Sequence, residues 1–299
     1  MEYKLKKSLE GHQGAVYAIS KATEEHLVYT AGSDRKVIEW DLESLKPTRV
    51  IAKSPTTVIS LCFIKELKIL LIGQVEGGVH VIDIEKGAEI KYLKAHKGYI
   101  FDIKYITHKK EIVFCSGDGS FSVWSAIDYK MLLHEKIANG KIRDLAISLE
   151  RNEACFATGD GEAVVFNQLD WTEKSRINNE SVAINSVKYI YENRLLFGDK
   201  MAHLSEVDLL TNQIIQKLPA HNWPIYSIDQ GDNTDLFATG SRDKTVKIWD
   251  ANHLKVLKRF EGFKDQAHTH SVNKILWIKY KDYLLSTGDD GKLKVWTVS

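Results

Sequence analysis

The feature that most restricts what this chain can fold into is a self-similarity of about forty-two residues that runs along its whole length. VYTAGSDRKVIEWD (28–41) matches FATGSRDKTVKIWD (237–250), and FCSGDGSFSVW (114–124) and LLSTGDDGKLKVW (284–296) follow the same plan. Each is an apolar run, a Gly/Asp turn and an alternating run ending on a large apolar residue, the pattern of a two-stranded hairpin. The closing residue recurs at Trp40, Ile82, Trp124, Phe166, Val207, Trp249 and Trp296, in steps of 42, 42, 42, 41, 42 and 47. An independent marker, the first apolar residue of an inner strand, recurs at Val16, Val58, Ile100, Ile142, Ile184, Ile225 and Val272, in steps of 42, 42, 42, 42, 41 and 47. Both rulers give seven units and place one five-residue insertion near the end, in GFKDQAHTHS.

Each unit reads as a meander of four short strands, too small to bury both faces alone but able to do so when seven such sheets pack radially. The expected architecture is therefore all-β: a seven-bladed propeller of four-stranded antiparallel blades in one domain spanning 1–299. The repeats run at about 10–51, 52–93, 94–137, 138–177, 178–218, 219–260 and 261–299 with 1–9. The last unit ends at its third strand, and residues 3–9, YKLKKSL, have the outer-strand pattern of EIKYL (89–93). The opening segment is thus expected to complete the final blade and remove an exposed edge.

Composition narrows the function classes. Forty-one basic and forty acidic residues leave a net charge of +1, which supplies no global field toward nucleic acid or anionic lipid. The first residues lack the apolar run of a secretory leader and no stretch is apolar enough to span a bilayer, so a soluble cytoplasmic chain is expected. Cys62, Cys115 and Cys155 lie in strand-like runs without disulfide or CxxC spacing, and read as small buried thiols.

The motifs carry a more specific resemblance. Gly11-His12 with Trp40-Asp41, Ala95-His96 with Trp124, Ala220-His221 with Trp249-Asp250, and His268 with Trp296 each place a His 28 positions before a Trp. Over nearly all its length the chain resembles the WD40-repeat family. That resemblance implies a buried relay from Trp through Ser/Thr and His to a turn Asp: Trp40, Thr30, His12 and Asp34; Trp249, Thr239, His221 and Asp243; Trp296, Ser286, His268 and Asp290. Unit three keeps His96, Asp118 and Trp124; its hairpin reads as one residue short, and Ser116 is the nearest hydroxyl. Ser54, Ala138 and Asn179 replace His in units two, four and five, where apolar packing is expected to take over. Buried polar groups of this kind must be paired, so the relay reads as scaffold.

Other chemistries fit less well. Ser286, His268 and Asp290 supply the residue types of a hydrolase triad, but the set recurs, includes a Trp and would be buried. His268 and His270 are spaced like two zinc ligands, without a third at motif spacing. Asp118-Gly119, Asp160-Gly161 and Asp290-Gly291 read as hairpin turns rather than calcium loops. GDDGK lacks the spacing of a phosphate-binding loop, and Asn179-Glu-Ser181 fits a glycosylation pattern that a cytoplasmic chain would not use. No cofactor or metal is expected.

A protein-interaction scaffold remains, with partners on one face and the rim. The residue after each inner-strand marker should lie near the central opening on that face: Tyr17, Ile59, Phe101, Arg143, Asn185, Tyr226 and Asn273. Aromatic rings and Arg are the side chains interfaces use as anchors. The candidate partner site is therefore Tyr17, Tyr99, Phe101, Arg143, Asn185, Trp223, Tyr226, Arg242 and Asn273, with the insertion near 263–270 as a further surface. A monomer that works within a complex is expected. The rival readings are an enzyme or ligand-binding propeller using the central channel, and a nucleic-acid-associated subunit whose footprint would include Lys4, Lys6, Lys7, Lys109 and Lys110.

Overall fold

The computed structural model describes residues 2–191, 193–231 and 235–298. It contains 28 strands in seven four-stranded sheets, with two short 3-10 turns among the described residues. Sheet one is β2 to β5 (Val16–Lys21, Leu27–Gly32, Lys36–Asp41, Lys46–Lys53). Sheet two is β6 to β9 (Val58–Ile64, Ile69–Gln74, Gly78–Asp83, Ala88–Lys94). Sheet three is β10 to β13 (Ile100–Ile106, Glu111–Ser116, Ser120–Ser125, Met131–Lys136). Sheet four is β14 to β17 (Ile142–Ser148, Glu153–Thr158, Glu162–Asn167, Glu173–Asn178). Sheet five is β18 to β21 (Ile184–Ile190, Arg194–Asp199, His203–Asp208, Gln213–Pro219). Sheet six is β22 to β25 (Ile225–Gln230, Leu236–Ser241, Val246–Asp250, Lys255–Phe260). Sheet seven holds β26 to β28 (Val272–Trp277, Leu284–Gly288, Lys292–Val298) in the order β1-β28-β27-β26.

β1 (Tyr3–Glu10) is the strand that stitches sheet seven. It runs antiparallel to β28, pairing Tyr3 with Val298 and Glu10 with Lys292 around a bulge between Leu5 and Lys7. The bulge breaks strict alternation, so Leu9 turns into the core beside Leu293 and Val295 while the lysines stay in water. Seven meander sheets with the last one completed by the opening strand are the seven-bladed propeller topology that the repeats predict.

The described chain forms two compact units. One comprises the stretches up to Val75, His80–Tyr92 and from Asp229 onward; the other comprises Glu76–Val79 and Leu93–Ile228. In the first, apolar layers join sheets six and seven, seven and one, and one and two. Trp40, Trp249 and Trp296 are fully buried there. Each such ring removes about 150–250 Å² from water, worth about 4–6 kcal/mol. In the second unit, Phe121, Phe156 and Phe166 cluster between sheets three and four with centroids 4.5–5.7 Å apart, and Phe197 and Val187 seal sheet five against sheet four. Hydrogen bonds clip neighbouring sheets: the Phe63 N–H donates to Ser20 Oγ (3.2 Å), Val187 N–H to Asp144 (2.9 Å) and Trp277 N–H to Asp229 (2.7 Å).

Candidate functional site

The relays of sheets one and seven form where the motifs place them, sheet six shows the Trp-to-Thr link, and sheet three uses a different residue. In sheet one the Trp40 indole N–H donates to Thr30 Oγ1 (2.6 Å), which lies 2.7 Å from His12 Nε2, while His12 Nδ1 is 3.0 Å from Asp34. Every group is satisfied if the hydroxyl donates to Nε2 and Nδ1–H donates to the carboxylate. Sheet seven repeats this with Trp296, Ser286, His268 and Asp290 at 2.8, 2.8 and 2.9 Å. In sheet six Trp249 donates to Thr239 (2.9 Å), and His221 and Asp243 are both held by interactions of their own. Burial pushes the His12 and His268 imidazoles below the usual histidine range and outweighs the adjacent carboxylates, so both are neutral. His268 spends both ring nitrogens on Ser286 and Asp290, which leaves none for a zinc ion shared with His270.

Sheet three corrects the sequence expectation. Its hairpin is not shortened: Ile112 pairs with Trp124 as Val28 pairs with Trp40. The counterpart of Thr30 is Phe114, whose cross-strand partner is Ser122, and it is Ser122 that accepts from the Trp124 N–H and faces His96 Nε2, both at 2.8 Å. Directly opposed residues share a sheet face, so the hydroxyl has changed strands without leaving the relay. Ser120 bridges His96 Nδ1 (2.9 Å) to Asp118. Ser116 instead donates to the Gly98 carbonyl at 3.2 Å. Burial drives the His96 pKa down to about 4.

Two sheets expected to rely on packing alone also keep a polar pair. In sheet two Gln74 Nε2 donates to Ser54 Oγ (2.6 Å), and in sheet five Asn179 Nδ2 donates to Asp199 (3.2 Å). With Ser286 and Thr30 fully buried, these relays have no access to a substrate and do structural work.

The outward-facing residues owe their position to a repeated backbone device. In the inner ladders of sheets one, two, three, four, five and seven the register slips at one place: Val16/Ala18, Val58/Ser60, Ile100/Asp102, Ile142/Asp144, Ile184/Ser186 and Val272/Lys274. The residues that the register passes over are Tyr17, Ile59, Phe101, Arg143, Asn185 and Asn273. Each is the extra residue of a β-bulge, which re-aims its side chain away from the ladder. The residue after the inner-strand marker is therefore presented by the backbone itself.

What each residue does with that presentation differs. In the second unit, Tyr99 (45% exposed) and Phe101 sit 5.6 Å apart at 48°, with the Lys141 ammonium 5.8 Å over the tyrosine and the Arg143 guanidinium 5.2 Å over the phenylalanine. Gly117 makes room: a Cβ there would lie 3.1 Å from the Phe101 ring. Neither cation has a carboxylate partner among the described residues. Trp223 on this unit is 55% exposed and Tyr226 half-buried, whereas Asn185 is 6% exposed and faces inward. In the first unit Tyr17 is half-buried and Arg242 exposed. Asn273 donates to the Val16 carbonyl (3.1 Å) and Asp289 (2.7 Å), tying sheet seven to sheet one. Lys141 lies outside the sequence-derived set; its place two residues before Arg143 is the sign that would have found it.

Comparison with known proteins agrees with this construction. The family profile described as "WD domain, G-beta repeat" matches residues 3–41, 212–250 and 257–297. WD repeat-containing protein 55 of Rattus norvegicus is 21% identical over 251 residues, 82% of this chain and 65% of that protein. Ribosomal RNA-processing protein 9 of Saccharomyces cerevisiae is 24% identical over 129 residues, 42% of this chain and 22% of that protein. Nuclear distribution protein PAC1 of Arthroderma benhamiae is 40% identical over 65 residues, 22% of this chain and 13% of that protein. The chain thus spans less than two thirds of the length of these relatives. With three profile matches, relatives built on the same repeat, seven meander sheets and the Trp-to-Asp relays, the chain belongs to the WD40-repeat family.

Proposed function

We propose that this protein is a non-catalytic interaction platform of the cytoplasm, and that the bulge-borne cluster of Tyr99, Phe101, Lys141 and Arg143 receives a segment of a partner protein. The observation that carries the reading is the Arg143 guanidinium, which lies over the Phe101 ring and donates to no side chain or carbonyl among the described residues. An arginine so placed offers a preorganised fork to a carboxylate or to backbone carbonyls, and the rings beside it offer apolar anchorage. A partner segment that presents an acidic or C-terminal group next to an apolar side chain matches that chemistry.

A second surface on the same unit supports the platform reading. At the turn between third and fourth strands, sheets one, two and six present Glu43, Glu85 and Asn252. Sheets three, four and five present Ile127, Leu169 and Leu210 there, all exposed. In a meander this turn lies at the strand end away from Tyr99 and Phe101. Exposed apolar residues that recur at one turn position of neighbouring sheets offer a partner apolar contact.

The basic residues that would serve a nucleic acid are partly committed elsewhere: Lys109 bonds the Gln168 carbonyl and lies 5.5 Å over Trp171, and Lys4 pairs with Glu2. The test is quantitative affinity capture of the tagged chain against a Tyr17→Ala/Phe101→Ala/Tyr226→Ala variant and an Arg143→Ala variant. Loss of a defined set of proteins at unchanged melting temperature supports the reading. Recovery of the same set by both variants refutes it, and partners released by nuclease and moderate salt favour the nucleic-acid alternative.

A further inference from the structure

The five-residue insertion in the last repeat builds a feature that the other sheets lack. Its backbone is pinned from within: Ala267 N–H bonds the Gly262 carbonyl (3.0 Å), and Asp265 accepts from Lys258 Nζ (2.7 Å) and from the Glu261 N–H (3.1 Å). Ala267 is buried in the apolar layer between sheets six and seven. The anchored loop borders a cavity of about 640 Å³ within the first unit, whose lining holds the cations Lys244, Arg259, Lys292 and Lys294 and the carboxylates Asp243, Glu261 and Asp290.

Lys294 is the anomaly of this cavity. It is 4% exposed, and its ammonium donates to the Gln266 carbonyl (2.7 Å) and Ser8 Oγ (3.4 Å), both cavity-lining residues; among the described residues it forms no ion pair, and Asp290 and Glu10 act on it only from beyond ion-pair distance. Of the nearby acids, Glu10 is ion-paired with Lys292 (2.7 Å) and Glu261 with Arg259 (2.8 Å), while Asp290 and Asp243 accept from neutral groups, His268 and Thr245 (2.6 Å), and keep their charge. The fold does not need a lysine here, since the position two before the closing residue holds Ile38 in sheet one and Val164 in sheet four. A buried ammonium outside any ion pair is costly, and burial lowers its pKa even against the pull of Asp290. Lys244, also in the lining, is exposed and forms no ion pair among the described residues.

We propose that this cavity binds a phosphate monoester, with Lys294 and Lys244 as its two cations and the Ser8 hydroxyl as a further donor. Two cations outside ion pairs match a dianion better than a single carboxylate, and three phosphate oxygens accept from ammonium and hydroxyl groups of the lining. The volume leaves room for the organic part of the ester. Phe263, 98% exposed on the same loop, offers a ring beside it. The site involves none of the groups of the Tyr99 cluster, so the two proposals stand or fall separately.

Calorimetric titration of the whole protein tests this with phenyl phosphate, with benzoate as the singly charged control, and with a degenerate phosphoserine peptide pool and its unphosphorylated twin. Phenyl phosphate should bind at least ten-fold more tightly than benzoate. Lys294→Met should weaken it at least ten-fold without lowering the melting temperature, and Lys244→Glu, a change at an exposed position, should do the same. If the phosphopeptide pool outbinds phenyl phosphate, the ester is borne by a partner chain; if phenyl phosphate outbinds the pool, it is a small molecule. Equal binding of phenyl phosphate and benzoate, or phosphate binding unchanged in Lys244→Glu, overturns the proposal.

Discussion

Replacing Ser122 by Ala should be among the most damaging conservative changes in the second unit, although nothing in the repeat pattern marks this serine. Its hydroxyl stands 2.8 Å from both the Trp124 N–H and His96 Nε2, and the site is fully buried. Removing it strands a buried donor and a buried acceptor, each costing about 1–3 kcal/mol, for a total of about 2–6 kcal/mol. In a protein of this size that corresponds to a fall in melting temperature of about 2–4 °C per kcal/mol. Ser116→Ala is the matched control: it loses the 3.2 Å bond to the Gly98 carbonyl and a 3.3 Å bond from the Asp118 N–H, worth about 1 kcal/mol together. Scanning calorimetry of the two variants, beside Thr30→Val and Ser286→Ala, compares the relays directly. Ser122→Ala should behave like the last two; if Ser116→Ala proves as costly, the strand exchange in sheet three is wrong.

The neutral imidazoles set the acid limit of the fold. A histidine whose folded pKa is lowered stabilises the protein above its unfolded value and loses that contribution as pH falls, so stability should decline from about pH 6.5 toward pH 4. For His96, held at about 4, the whole effect is about 3 kcal/mol, and melting curves of His96→Gln should be flatter over that window. Leu9→Ala, at the stitched strand, should cost about 2–4 kcal/mol and raise aggregation by freeing the edge of β28, read by light scattering during melting. Asn179→Asp would oppose a second carboxylate to buried Asp199 and should lower the melting temperature more than Ser54→Ala does. The buried Cys115 and Cys155 thiols, both pushed up by burial, should resist alkylation in the folded protein and react on unfolding.

The sheet count and the stitch were legible because both are periodic: a hairpin that repeats its turn and closing residue leaves the same trace seven times. The outward positions were legible for a reason hidden at that stage, namely that in sheets one to five and seven the residue after the inner-strand marker is a bulge. What the bulge presents was not legible, since Asn273 finds acceptors across the sheet boundary and Asn185 turns inward, and neither depends on local pattern. Ser122 escaped because a relay hydroxyl can come from either of two opposed strand positions and a one-dimensional offset tests only one. Lys294 escaped because its burial is created by a loop folded from another part of the repeat, while in sequence it looks like an ordinary alternating strand lysine.

The most direct test of the platform reading is hydrogen–deuterium exchange on the captured complex, compared with the protein alone. Slowed exchange confined to the segments around 97–101 and 139–143 is the predicted result, because their backbone carries the two rings and two cations. Protection that leaves those segments unchanged and falls on the outer strands β1, β5 or β25 would contradict it.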